Sequence, residues 1–229
     1  LALALCLTAP ALAQTPKESE LKAEVAALTA MHEVIQPLWH DAWPKKDTAM
    51  MAGMTSAIEK HLAAIERVEL PGILRDKTTA WNEGVAKLRD TVAGYKAAVN
   101  VKDDAALLKA AEALHTDYER LVKLVRPVLK EMDSFHTSLY VLYHYQLEPL
   151  DVAKASETIK AMKPKMDALN AATLPDRLKA RQDAFTAQRA RLSKTFDELL
   201  AVVTAGQTAR VKEAIELMHI QYEKLEEIF

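Results

Sequence analysis

Cysteine is almost missing from this chain; its one copy is Cys6. A lone thiol closes no intrachain disulfide and builds no thiolate metal site, and no Cys-x-x-Cys-His run is present for covalent haem. Glycine is scarce too, at five residues, and none are grouped as a phosphate-cradling loop requires. Charge of one sign is not in excess: 30 Lys and Arg face 32 Asp and Glu, for a net −2. The two signs alternate along the chain and leave no concentrated basic face, so nucleic-acid binding is not expected. After residue 13 no uncharged apolar run approaches the ~20 residues that span a bilayer, so no membrane insertion is expected. Neither His-Glu-x-x-His nor a Ser/His/Asp order occurs, and the reading is of a non-catalytic protein.

What remains is rich in Ala, Leu, Lys and Glu with few β-branched runs, a helical composition. Residues 1–13 read LALALCLTAPALA and end in the small-x-small pattern Ala11-Leu12-Ala13. They are expected to be a signal peptide cut after Ala13, directing the chain to the periplasm or outside the cell. Leu5, directly before Cys6, is bulkier than a lipoprotein signal takes, so no lipid anchor is expected.

The chain repeats itself. Shifting it by 104 residues pairs His32 with His136 without a gap, and from that pair onward 23 of 94 pairs are identical. His40 meets His144, Asp47 meets Asp151, and Leu70-Pro71 meets Leu174-Pro175. Trp39 meets Tyr143 and Trp81 meets Phe185, so an aromatic ring is kept at both places. Six of the seven histidines fall into matched pairs. An internal repeat of this length reads as a domain present twice.

Each copy divides into four amphipathic helices with apolar residues three and four apart. In the first, at 14–126, they are expected near 17–43, 47–69, 74–100 and 103–126, with breaks at Trp43-Pro44 and Leu70-Pro71-Gly72. Asp47 and Asp103 are the expected N-caps. In the second, at 127–229, they are expected near 127–147, 151–172, 176–204 and 207–228. Pro127 joins the copies as a kink or a helix restart. The fold class is all-α: two tandem up-down-up-down four-helix bundles.

Histidine carries the chemistry. The stripe Leu21, Val25, Leu28, His32, Ile35, Trp39 places His32 on the buried face of the first helix, and His136 follows suit. The first helix is expected to end at Trp43 opposite the start of the last at Asp104. His32 then lies as far before that end as His115 lies after that start, which puts both at one level. His136 and His219 stand in the same relation. Each pair is a candidate ligand set for a transition metal ion; neutral imidazole suits Cu, Zn, Ni and Fe alike. His40 and His144 lie about 12 Å further along and form a secondary candidate. Met50, Met51 and Met54 face His40 in the first copy, where the second has Lys154, Ala155 and Thr158.

The run Glu-x-x-His-x-x-Tyr-Glu occurs at Glu112–Glu119 and at Glu216–Glu223. Glu112 and Glu216 are candidates to support the imidazoles from behind, and Tyr118 and Tyr222 to flank them. A di-iron carboxylate centre needs further inward glutamates, but Glu33 becomes Thr137 and Glu59 becomes Lys163.

With His115–Tyr118, His219–Tyr222 and the Val211–Ala214 run opening the last helix, each copy resembles the cytochrome b562/c′-like periplasmic four-helix-bundle superfamily. That resemblance implies haem b as the alternative cofactor, here bis-histidine ligated by His32/His115 and His136/His219. The metal reading implies storage, delivery or sensing. A third reading is a structural or partner-binding helical module whose histidines pack, with a periplasmic protein or a second copy of the chain as partner.

Overall fold

Aspartates start three of the helices. Asp47, Asp103 and Asp151 each turn a carboxylate oxygen onto the backbone N–H three residues ahead, at 2.9, 2.9 and 3.1 Å, satisfying a donor that the first turn leaves without a partner. The computed structural model describes residues 15–229; the expected signal peptide, its cleavage point and Cys6 lie outside them. Among the described residues the protein is all-helical, with one isolated bridge, Leu147 to Leu150. No helix among them is long and apolar enough to cross a membrane. Two compact units meet in sequence at Pro127/Val128.

In the N-terminal unit, α1 (Ala26–Pro37) runs through a π-helical turn, Leu38–Ala42, into the short α2 (Trp43–Lys45). Proline at 37 has no N–H to give to the helix ladder. The chain widens just beyond it, where the Trp43 N–H bonds to Leu38 O, five residues back. Two helices, α3 (Thr48–Gly53) and α4 (Thr55–Ile65), replace the single one expected at 47–69. They part at Met54, where the Thr55 hydroxyl takes the Ala52 carbonyl at 2.8 Å and so competes with the backbone ladder. A 3-10 turn, Gly72–Lys77, leads into α5 (Thr78–Val101), and α6 (Asp104–Val125) completes the unit. Helix α1 packs on α4, α4 on α5, α5 on α6, and α6 returns to α1.

The C-terminal unit has α7 (Lys130–Tyr145), α8 (Val152–Ala171), a 3-10 turn Asp176–Arg181, α9 (Gln182–Thr204) and α10 (Thr208–Glu226). Here α7 packs on α8, α8 on α9, α9 on α10, and α10 closes on α7. Phe135, Ile159, Phe185, Phe196 and Ile215 are fully buried in its core. Each such side chain contributes about 1.5–3 kcal/mol of transfer free energy.

The first helix begins at Ala26 rather than residue 17, because Val25 is extended. Its buried face is Val25, Leu28, Met31, Ile35 and Leu38. Met31 takes the place assigned to His32, which is exposed, whereas His136 is buried at 8%. Positions 31 and 32 fit a 3.6-residue period equally well, and the thioether is the better core group.

Local geometry recurs 104 residues apart. The 3-10 turns begin at Gly72 and Asp176, and both final helices follow a left-handed residue: Lys102 at φ 56° and Gly206 at φ 66°. Lysine pays a steric cost there that glycine does not. Lys102→Gly is therefore expected to stabilise the N-terminal unit by about 1 kcal/mol, and Gly206→Lys to destabilise the C-terminal unit by about as much. All three tryptophans, 39, 43 and 81, lie in the N-terminal unit, so urea unfolding followed by tryptophan fluorescence reads the first change and helical circular dichroism the second. A loss of stability in Lys102→Gly contradicts this reading of the cap.

Candidate functional site

In each unit the first and last helices meet through a ring stacked on an imidazole. Tyr143, in the last turn of α7, lies face to face on His219 of α10, with centroids 3.9 Å apart and planes at 11°. Its neighbour His144 meets the same imidazole edge-on at 6.1 Å and 89°. One ring nitrogen of His144 and one of His219 lie within 4.8 Å of each other, a separation a small shift brings within the reach of two Zn–N bonds of about 2.0–2.1 Å. Tyr140 tilts against His144 at 4.8 Å. His219 is 6% exposed, and its Nδ1 is 3.7 Å from Glu223 Oε2, beyond hydrogen-bond range but near enough to orient the ring.

The N-terminal unit builds the same contact from other residues. Trp39, on the π-turn, stacks on His115 at 4.1 Å and 8°, and also on Trp43 at 4.5 Å. Burial pulls the His115 imidazole below its usual pKa; Glu119 opposes this, while His40 and Lys123 reinforce it. His40 is thus electrostatically coupled to His115, as its counterpart His144 is in contact with His219. A lowered pKa keeps His115 neutral near pH 7, the form that binds metal.

His32 and His136 belong to a separate layer. His32 tilts toward Tyr118 at 6.4 Å, and His136 stacks on Tyr222 at 4.6 Å. Tyr118 donates to Leu28 O at 2.9 Å and Tyr222 to Glu226 Oε1 at 3.3 Å. Burial, reinforced by Glu119 and Glu226 respectively, raises both phenols above their usual pKa. Both stay protonated as hydrogen-bond donors; Tyr118 ties α6 to α1, whereas the Tyr222 bond lies within α10.

Where His32 was expected to pair with His115 and His136 with His219, the ring contacts set His32 and His136 against Tyr118 and Tyr222, and His115 and His219 against Trp39 and Tyr143. The helix ends are offset: the Trp43 indole N–H donates to Leu108 O, four residues into α6 rather than at its start. Lys212 and Glu148 form the matching tie in the C-terminal unit. Side chains also lean toward their helix N-termini, so Trp39 and His115 close the remaining gap. The same lean corrects the supporting carboxylate. Glu119 and Glu223, one turn after the histidines, reach back toward them, whereas Glu112 is exposed and the electrostatic effect of Glu216 falls on Lys212. The dipeptides Trp39-His40 and Tyr143-His144, each an aromatic followed by a histidine, are the sequence signal for the pairs that form.

Because the folded His115 pKa lies below its usual 6.5, the unfolded chain binds the proton first as pH falls. Stability is therefore retained above pH 6.5 and declines as pH drops below it. His115→Gln is expected to flatten that decline in thermal unfolding followed by tryptophan fluorescence. An unchanged slope in the variant contradicts the assignment.

The chain matches no protein-family model, no curated protein and no solved structure.

Proposed function

We propose that this chain is two tandem four-helix bundles derived from an internal duplication, each holding one transition metal ion between imidazoles of its first and last helices. The ligands are His40 with His115 in one unit and His144 with His219 in the other. The observation that carries this reading is a stacked imidazole with a second histidine beside it, recurring 104 residues on although 71 of the 94 aligned pairs differ. Packing alone asks for a ring at that place; it does not ask for two histidines.

Two imidazoles fill only half of a tetrahedral shell and leave positions for water or an incoming ligand. Such an ion exchanges, which suits storage, delivery or sensing in an exported protein better than a structural role. A haem b between the same helices requires the 3.9 and 4.1 Å stacks to open, and this favours the bare ion. The four-helix architecture is the part of the cytochrome b562/c′-like resemblance that the reading keeps.

The test is calorimetric titration of tag-free, metal-stripped protein with Zn(II) or Cu(II). Two ions per chain are expected, with a stabilisation of ~2.7 kcal/mol at free metal 100-fold above Kd. His40→Ala and His144→Ala should each remove one ion, and His115→Ala/His219→Ala both, while His32→Ala keeps two. A Soret band in protein isolated from cells would instead establish haem. Absence of both metal and haem, with variants that only unfold more easily, would leave the packing or partner-binding module.

A further inference from the structure

Helix α10 buries one face in the C-terminal unit and keeps a second pattern on the other. Val211, Ile215, Met218, Tyr222 and Leu225 are the buried face. Two residues after each, and so on the opposite side, stand Glu213, Leu217, Ile220, Lys224 and Glu227. All five are exposed, as is Arg210 one step earlier. The steps from Arg210 to Glu227 alternate three and four, the 3.5-residue period of a seam between two helices. At its centre Leu217 and Ile220 are 46% and 42% exposed. Single apolar side chains on a surface are ordinary; these two share one helix face in the middle of a charge pattern.

That pattern complements itself when reversed. A two-fold axis midway between Leu217 and Ile220 sets each residue opposite its counterpart on an antiparallel second α10. Leu217 then meets Ile220, Glu213 meets Lys224, and Arg210 meets Glu227, each contact occurring twice. Every charged contact joins opposite signs. The helix ends agree: Arg210 lies in the first turn and Glu227 at the C-cap, where the dipole of their own helix disfavours those charges. Beside an antiparallel α10 each faces a helix end of the polarity that favours it.

The N-terminal unit has no such face. At the matched positions α6 carries Ala106, Lys109, Ala113, Thr116, Arg120 and Lys123. The same axis there would set Lys109 against Arg120, twice, around a centre with little to bury. We propose that the chain self-associates through the exposed face of α10 as an antiparallel two-fold dimer, in which α6 takes no part. Such an interface closes after two copies and propagates no filament. A single pair of helices falls at the small end of interface sizes, below about 1,200 Å². The dimer is therefore weak, and its exposed charge pairs make it sensitive to salt.

The experiment is sedimentation equilibrium of the full, metal-stripped chain at low salt over a wide range of protein concentration. No metal enters the interface, so the result is independent of the histidine sites. A reversible monomer–dimer equilibrium is expected, weakening as salt is raised. Glu213→Lys alone and Lys224→Glu alone should each weaken association by about tenfold or more, because each sets like charges together at two places. Mixed in equal amounts, the two variants should associate as the unmodified chain does, since both contacts of the mixed pair join opposite charges. Ile220→Asp should give a monomer with unchanged helical circular dichroism, and Lys109→Glu on α6 should leave the dimer as it was. A chain that stays monomeric at every concentration overturns the proposal and leaves this face to a different protein. A dimer that tolerates both Glu213→Lys and Ile220→Asp overturns it too, as does a mixture of the two charge variants that fails to associate.

Discussion

The aromatic ring of the first helix lying flat on an imidazole of the last is the contact on which the candidate chemistry depends. It fixes the angular position of a side chain that would otherwise rotate, and it shields one imidazole face from water. Beyond the area it buries, such a stack contributes about 0.5–1.5 kcal/mol, modest for stability but sufficient to select one rotamer. With His115 or His219 immobilised in this way, the residue following the stacked ring is delivered beside it: His40 after Trp39, His144 after Tyr143. The pair is thus a consequence of helix geometry and one stack.

The two units reach this contact by different routes. In the N-terminal unit a π-turn follows Pro37, and that turn carries both Trp39 and His40. In the C-terminal unit Val141 stands at the matched position, and α7 continues as regular helix through Tyr145. The tie at the end of the seam differs too, an indole N–H to a carbonyl in one and a Lys212–Glu148 ion pair in the other. The same ring-on-imidazole geometry is thus reached by different local means in the two units.

Much of this was legible in the amino-acid sequence. The aspartate caps, the Leu-Pro breaks and the 104-residue repeat follow from local rules, because a cap or a break needs only its neighbours. Depth along a helix pair was not legible. It depends on how far one helix end slides past another, and Trp43 bonding to Leu108 rather than sitting opposite Asp104 moved the register by a turn. Periodicity likewise could not choose between Met31 and His32 for the core. Nor could spacing alone decide between the carboxylates three residues before and four after each histidine; the tilt of side chains toward the helix N-terminus favoured Glu119 and Glu223. In each case the missing information was tertiary, a matter of which neighbour a side chain meets.

The central claim is that His40/His115 and His144/His219, and not the His32/His136 layer, face a common ion. Side-chain NMR of protein labelled with nitrogen-15 in its histidines, followed during Zn(II) addition, tests it most directly. The account predicts that one ring nitrogen in each of those four imidazoles shifts to the metal-bound range while His32, His61 and His136 keep their apo positions. Shifts confined to His32 and His136, or none in any histidine, would contradict it.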